Sequence, residues 1–231
     1  PVARVMQAML TALEGSNLES ETEALAEFYE SVRLRAAGID NAEGKQRVIT
    51  ELYEKFFRLA FPRSADALGI VYTPTEIVDF ILRSVNDLLV TEFGTTISAP
   101  GVHVLDPFTG TGTFITRLLA SGLIAPEDLA RKFTSELHAN EITLLAYYIA
   151  AANIEATFHD LTASFAADAV APASADPRAW VPFDGIVLAD TFQMSEHEDV
   201  LDGLVFRTNS ERAERQLDLD IRVIVGNPPY S

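Results

Sequence analysis

The sequence predicts an α/β protein, an open sheet preceded by a wholly helical region, and three observations carry that reading. Apolar residues recur at helical spacing through the first 62 positions or so. Beyond Gly101, short β-branched runs alternate with amphipathic stretches. The runs close on polar side chains, Asp106, Glu141, Asp190 and Asn227. In an open α/β sheet, ligands sit beyond the carboxyl ends of the strands.

Bulk properties narrow the class. The chain has 231 residues, 48% of them hydrophobic, and no cysteine. Disulfides and thiolate metal sites are therefore excluded. No apolar run approaches the roughly 18 residues of a membrane span, and no basic-then-apolar leader opens the chain. A soluble, cytoplasmic protein with no membrane partner is expected. The formal net charge is −17, so the chain lacks the basic stripe that a grip on nucleic-acid phosphates needs. The absence of an initial Met and the stop at Ser231 suggest a slice of a longer polypeptide.

Residues 1–66 are expected to form a helical domain. Val5, Met9, Ala12 and Leu13 fall at helical spacing, and Ser20 with Glu23 makes a capping-box pattern. Leu25, Phe28, Tyr29 and Val32 continue one face, and Val48, Ile49, Leu52, Tyr53, Phe56 and Phe57 form a broad stripe ended by Pro62. Such stripes serve packing more often than ligand binding.

Residues 67–231 have a different character. Tyr72-Thr73-Pro74 opens a helix, with Thr73 as N-cap, Pro74 in the first helical position and Glu76 reaching back. Ile77, Phe80, Ile81, Val85 and Leu88 are expected to face inward. Capping alone accounts for that pattern.

Next, residues 102–105 read as a strand running into Asp106-Pro107-Phe108-Thr109-Gly110-Thr111-Gly112, followed by a helix that buries Phe114, Ile115, Leu118 and Leu119. Strand, glycine turn and helix bring backbone amides to a ligand. The turn lacks the lysine of a phosphate-binding loop, and Asp106 would repel a pyrophosphate. An acid there suits a ligand with positive charge and hydroxyls, such as the amino-acid end of S-adenosylmethionine.

Residues 132–137 read as a second strand leading to Glu141, and 142–153 as a helix. A carboxylate at that strand end commonly takes ribose hydroxyls; Glu141 fits, with Glu136 as the substitute. His138 reads as a packing residue. The four histidines lack acidic partners at ligand spacing, so no metal site is expected. Residues 160–182 read as a long Ala/Pro/Asp-rich loop, and 183–189 as a third strand closed by Asp190. Asp190, followed by Phe192, suits an exocyclic adenine amine and its ring, though a simple strand cap fits equally. A charged helix is expected near 211–217, where Glu211 and Arg215 mark a solvated face.

The chain closes on Val223-Ile224-Val225 and then Gly226-Asn227-Pro228-Pro229-Tyr230. Two prolines cannot extend the strand. Asn227 and Pro228 each precede a proline and are held extended. The stiff turn offers an amide, a carbonyl and an aromatic face, which suits a planar, amino-bearing ring. A strand end with a packing tyrosine has the same sequence.

Together these residues resemble the adenine-N6 DNA methyltransferases in the γ arrangement of motifs. Tyr72, Thr73 and Pro74 look like motif X, Asp106 to Gly112 like motif I, Glu141 like the motif II acid, Asp190 like the motif III acid and Asn227 to Tyr230 like motif IV. The stretch between Pro107 and Asn227 is too short to hold a target-recognition domain, which fits the γ order. Residues 18–35, 52–61, 69–80 and 140–155 further resemble the coupler and methyltransferase start of Type ISP restriction–modification enzymes. The resemblance implies a Rossmann-like S-adenosylmethionine-dependent sheet, incomplete at its C-terminus. It also implies covalently linked helicase, nuclease and target-recognition domains, and double-stranded DNA held largely by parts outside this chain.

In the mechanism so implied, an adenine is extruded from the duplex and stacks on Tyr230. Asn227 and the Pro228 carbonyl, held by Pro229, accept its amine hydrogens. Thr73 and Gly110 help hold the methionine end, Glu141 the ribose, and Asp190 with Phe192 the cofactor adenine. Two other readings stand beside this one. The same motif serves methylation of a protein glutamine or an RNA base, and the chain can instead be a fragment that binds S-adenosylmethionine, or merely packs, without activity of its own.

Overall fold

The computed structural model describes residues 73–168, 180–192, 194 and 207–229. The chain divides into two compact units, Pro1–Leu52 and Tyr53–Ser231. The expected helices before residue 63, Tyr72, Tyr230 and the centre of the predicted loop lie outside the described residues.

Among the described residues the sheet has four strands: β1 (His103–Asp106), β2 (Leu137–Glu141), β3 (Ile186–Leu188) and β4 (Ile221–Ile224). All neighbours pair parallel, in the order β3-β2-β1-β4. The longer helices among the described residues are α1 (Thr75–Phe93), α2 (Thr113–Ala120), α3 (Leu144–Asp168) and α4 (Arg207–Leu217). Among the described residues no helix is long and apolar enough to cross a membrane.

One face of the sheet builds the core. Val104, Leu137, Ala139, Ile186 and Val223 pack with Val78 and Leu82 of α1, Ile115 and Leu118 of α2, and Ile154 and Phe158 of α3. Phe133 stacks on Phe158 at 3.8 Å between ring centroids. On α2 the buried residues Phe114, Ile115, Leu118 and Leu119 are those the spacing predicts. Arg117 of α2 clamps Asp79 of α1 through two bonds of 2.8 and 2.6 Å. At the β3 edge the Asn209 amide bonds both backbone groups of Leu188, at 2.8 and 2.9 Å, and so stands in for a strand partner.

Several expectations change. Helix α1 starts one residue late: Pro74, with φ −54° and ψ 137°, takes the cap position, no side chain caps the helix, and its carbonyl accepts from the amides of Ile77 and Val78. The buried stripe is accordingly Val78, Leu82 and Leu89, while Ile77, Phe80 and Leu88 face solvent. Residues 132–136, expected as strand, form a π-helical turn before β2. The cause is Lys132, fully buried, whose Nζ donates to the Ala99 and Val102 carbonyls at 2.9 and 2.8 Å and pairs with Glu136 at 2.8 Å. An extended strand would point Lys132 and Glu136 to one face but too far apart to close that i,i+4 pair. Helix α3 runs to Asp168, so residues 160–168 of the predicted loop are helix instead.

Candidate functional site

Parallel pairing puts the carboxyl ends of all four strands at one edge, and Asp106, Glu141, Asp190 and Asn227 all lie there. Neighbours β1 and β4 mark the point where strand order reverses, the position at which such sheets open a ligand crevice.

Asp106 ends β1 fully buried. Its Oδ1 accepts the Phe108 amide at 3.1 Å, whereas Oδ2 is buried without a partner among the described residues. Burial pushes its carboxyl up to about 7; the Phe108 amide opposes the rise, and the Glu141 charge adds to it. Gly226 packs so close that a Cβ there would lie 2.6 Å from Asp106 Oδ1.

Glycines shape the turn after Asp106. Gly110 and Gly112 have φ of 57° and 91°, a region costly for other residues. Gly112 also presses on α3, where a Cβ would meet Ile154 Cγ1 at 3.2 Å and Ala150 backbone at 3.3 Å. Asn153 of α3 donates to the Thr111 carbonyl at 2.9 Å. Thr109 donates its hydroxyl to the Asp106 carbonyl and its amide to the Asn140 carbonyl, both at 2.9 Å. The turn leads directly into α2, and its Phe108, Thr109, Gly110 and Gly112 amides are bonded within the protein.

Glu141 ends β2 and ties the two strand ends together. Its Oε2 accepts the Gly110 amide at 2.9 Å, and Oε1 accepts the Thr143 amide and hydroxyl at 2.8 and 2.6 Å. Burial raises its pKa, and the Thr143 and Gly110 bonds oppose that rise. The substitute, Glu136, is corrected: it lies before β2, at the opposite end of the strand, and binds Arg131, Lys132 and the Gly101 amide.

Beyond β3, Asp190 Oδ1 accepts the Phe192 amide at 3.0 Å. Phe192, 70% exposed, stands with its ring centroid 5.5 Å from that of Phe108. Thr191 donates to the Pro107 carbonyl at 2.7 Å and so joins this loop to the glycine turn. Ile142, directly after Glu141, is an exposed apolar residue that sequence reasoning did not single out for the site; its signal was an apolar side chain following a strand-ending acid.

Beyond β4, Asn227 is half-buried while Pro228 and Pro229 are exposed. The Val225 amide bonds the Leu105 carbonyl at 2.9 Å, carrying the pairing with β1 up to the turn. Thr73 and Pro74 stand at the start of α1, which reaches α2 through Asp79 and Arg117. Among the described residues, no three His, Asp or Glu side chains gather as metal ligands.

The chemistry of these groups is compatible with S-adenosylmethionine: among the described residues a buried carboxylate oxygen has no partner, two glycines of the turn have positive φ, and Ile142 and Phe192 are exposed apolar side chains beside strand-end acids.

Residues 1–44 match the Type ISP restriction-modification enzyme coupler domain family. The whole chain is similar to part of a nuclease-deletion mutant of the Type ISP restriction-modification enzyme LlaGI, solved with a DNA substrate mimic: identity is 48%, the TM-score 0.77, and coverage 100% of this chain and 18% of that one. For the ATP-dependent Type ISP enzyme LlaBIII bound to DNA the values are 49%, 0.79, 100% and 15%. For a DrdV–DNA complex they are 38%, 0.82, 99% and 21%. The chain thus spans about a fifth or less of the length of these relatives. No curated protein sequence matches it.

Proposed function

We propose that this chain is the coupler and methyltransferase start of a Type ISP restriction–modification enzyme, and that its sheet binds S-adenosylmethionine for methylation of adenine N6 in DNA. The supporting observation is the parallel order β3-β2-β1-β4, which gathers Asp106, Glu141, Asp190 and Asn227 at the edge where the order reverses.

The cofactor would supply an electrophilic methyl group on a sulfonium. Asp106 would hold its cationic end, the Gly110–Gly112 turn would admit it, Glu141 would take the ribose, and the loop of Asp190 and Phe192 would hold the adenine. Adenine's amine is a poor nucleophile because its lone pair is delocalised into the ring. The Asn227 side-chain oxygen and the Pro228 carbonyl accept its two hydrogens, which draws the nitrogen toward tetrahedral geometry. Orientation and fixed dipoles then carry the rate, with no strong base. A net charge of −17 leaves the grip on DNA phosphates to parts beyond this chain.

Calorimetry tests the cofactor site. S-adenosylmethionine binds the chain, and Asp106→Ala weakens that binding at least about tenfold, because it removes a charge-assisted hydrogen bond. Absence of binding overturns the reading. The substrate is tested in a protein that contains the chain: label from the methyl group appears as N6-methyladenine in DNA, and label in protein glutamine or RNA instead refutes the adenine assignment.

A further inference from the structure

Asn140 sits on β2, one residue before Glu141, and is 1% exposed. Its carbonyl accepts the Thr109 amide of the glycine turn at 2.9 Å. Its side-chain Nδ2 reaches the β3 loop instead, 3.4 Å from Thr191 Oγ1 and 3.2 Å from Met194 Sδ. Thr191 closes the ring by donating to the Pro107 carbonyl at 2.7 Å. One residue therefore bonds the loop after β1 with its main chain and the loop after β3 with its side chain.

The cost of this arrangement shows that it is not ordinary packing. Among the described residues Asn140 Oδ1 is buried with no partner. An apolar side chain at the same place would bury no unsatisfied acceptor. What the amide adds is its donor, and that donor goes to the loop bearing Asp190 and Phe192. That loop stands across from Phe108, with the two phenyl rings 5.5 Å apart.

We propose that Asn140 is a positioning residue for nucleoside binding: acting through Thr191, it sets where Phe192 stands against Phe108 and thereby shapes the adenine end of the site. The proposal rests on the reading that these loops hold S-adenosylmethionine. Asn140 does not touch the cofactor; its effect arrives through Phe192.

Two ligands separate this role from simple stability. S-adenosylhomocysteine has both the nucleoside and the amino-acid end, whereas 5′-methylthioadenosine has only the nucleoside. In calorimetry on the whole chain, Asn140→Ala is expected to weaken both by a similar factor, about tenfold. Asp106→Asn, acting at the other end, weakens only S-adenosylhomocysteine. In a Phe192→Ala background, Asn140→Ala produces no further loss, because the group it places is gone. Thr191→Val, which keeps the shape and removes the hydroxyl, reproduces the effect of Asn140→Ala and carries the test should Asn140→Ala not fold.

Unchanged binding in Thr191→Val and in a folded Asn140→Ala overturns the inference, as does a loss that adds fully to that of Phe192→Ala. Failure of the unsubstituted chain to bind either ligand overturns the underlying cofactor reading instead.

Discussion

Gly226 lies against Asp106 so closely that a methyl group on it would sit 2.6 Å from Asp106 Oδ1 and 3.3 Å from Pro107 Cδ. This approach joins the turn after β4 to the turn after β1. Because that same Oδ1 holds the Phe108 amide, a side chain on Gly226 must displace either the carboxylate or β4. Gly226→Ala should cost about 1–3 kcal/mol, as overpacking does. For a domain of this size that lowers Tm by about 2–4 °C per kcal/mol. Adding Asp106→Ala should recover much of the lost stability without restoring S-adenosylmethionine binding. Fully additive losses in thermal melts would show that the two residues do not meet.

The glycine turn supplies an internal contrast. Gly110 and Gly112 both have positive φ, but a Cβ on Gly110 meets open space whereas one on Gly112 meets Ile154 and the Ala150 backbone. Gly110→Ala should therefore cost only the backbone strain, about 1–2 kcal/mol. Gly112→Ala adds steric overlap and should cost about 2–4 kcal/mol. Urea unfolding of the two variants compares them directly, and equal midpoints would contradict the crowding at Gly112.

These contrasts mark what was legible in the sequence. Phe114, Ile115, Leu118 and Leu119 of α2 could be placed because that helix has a single apolar stripe. Helix α1 has two, and of the expected stripe Ile77, Phe80, Ile81, Val85 and Leu88 only Ile81 and Val85 pack in part against the core, while Val78, Leu82 and Leu89 are the residues buried there. The turn at Lys132–Glu136 looked like strand because Phe133 and Thr134 favour one, while the deciding acceptors, Ala99 and Val102, lie far back in the chain. For α3 the signal was present in the residues themselves: 154–168 contain neither Gly nor Pro, so nothing stops the helix. The acids at the strand ends were readable as a set. The bonds that join their loops, from Asn140, Asn153 and Thr191, depend on the register between distant strands.

Two buried groups give stability opposite pH slopes. Asp106, raised from 3.8 to about 7, binds its proton more tightly in the folded chain. Its contribution favours folding below pH 3.8 and is lost as pH rises toward 7. His138 stacks on His103, their ring nitrogens 3.0 Å apart; burial first, and then His103, lower it from 6.5 to about 4. Its contribution is present above pH 6.5 and is lost as pH falls toward 4. The two oppose each other between those values. Asp106→Asn should remove the alkaline loss, so that Tm relative to the unsubstituted chain increases from pH 5 to pH 8. A difference in Tm that stays flat over that range would contradict the burial of Asp106.

At the other end of the strands, Lys132 offers a separation of stability from binding. Its ammonium is fully buried, bonded to two carbonyls and to Glu136. Burial lowers the Lys132 pKa, and the neighbouring Glu136 carboxylate opposes that shift. Glu136 also binds Arg131 and the Gly101 amide, so the cluster fixes how the chain enters β1 and β2. Removing one partner of a buried pair costs about 3–5 kcal/mol, and Lys132→Met additionally strands the Ala99 and Val102 carbonyls. The exposed pair Arg222–Asp220, 3.4 Å apart, should by contrast contribute less than about 1 kcal/mol. Chemical denaturation should therefore show a large loss for Lys132→Met and almost none for Arg222→Ala. Because the cluster precedes both strands while the acids follow them, Lys132→Met that remains folded at low temperature should keep its affinity for S-adenosylmethionine within about twofold, a change of roughly 0.4 kcal/mol. A tenfold weakening there would mean that the two ends of the sheet are energetically coupled.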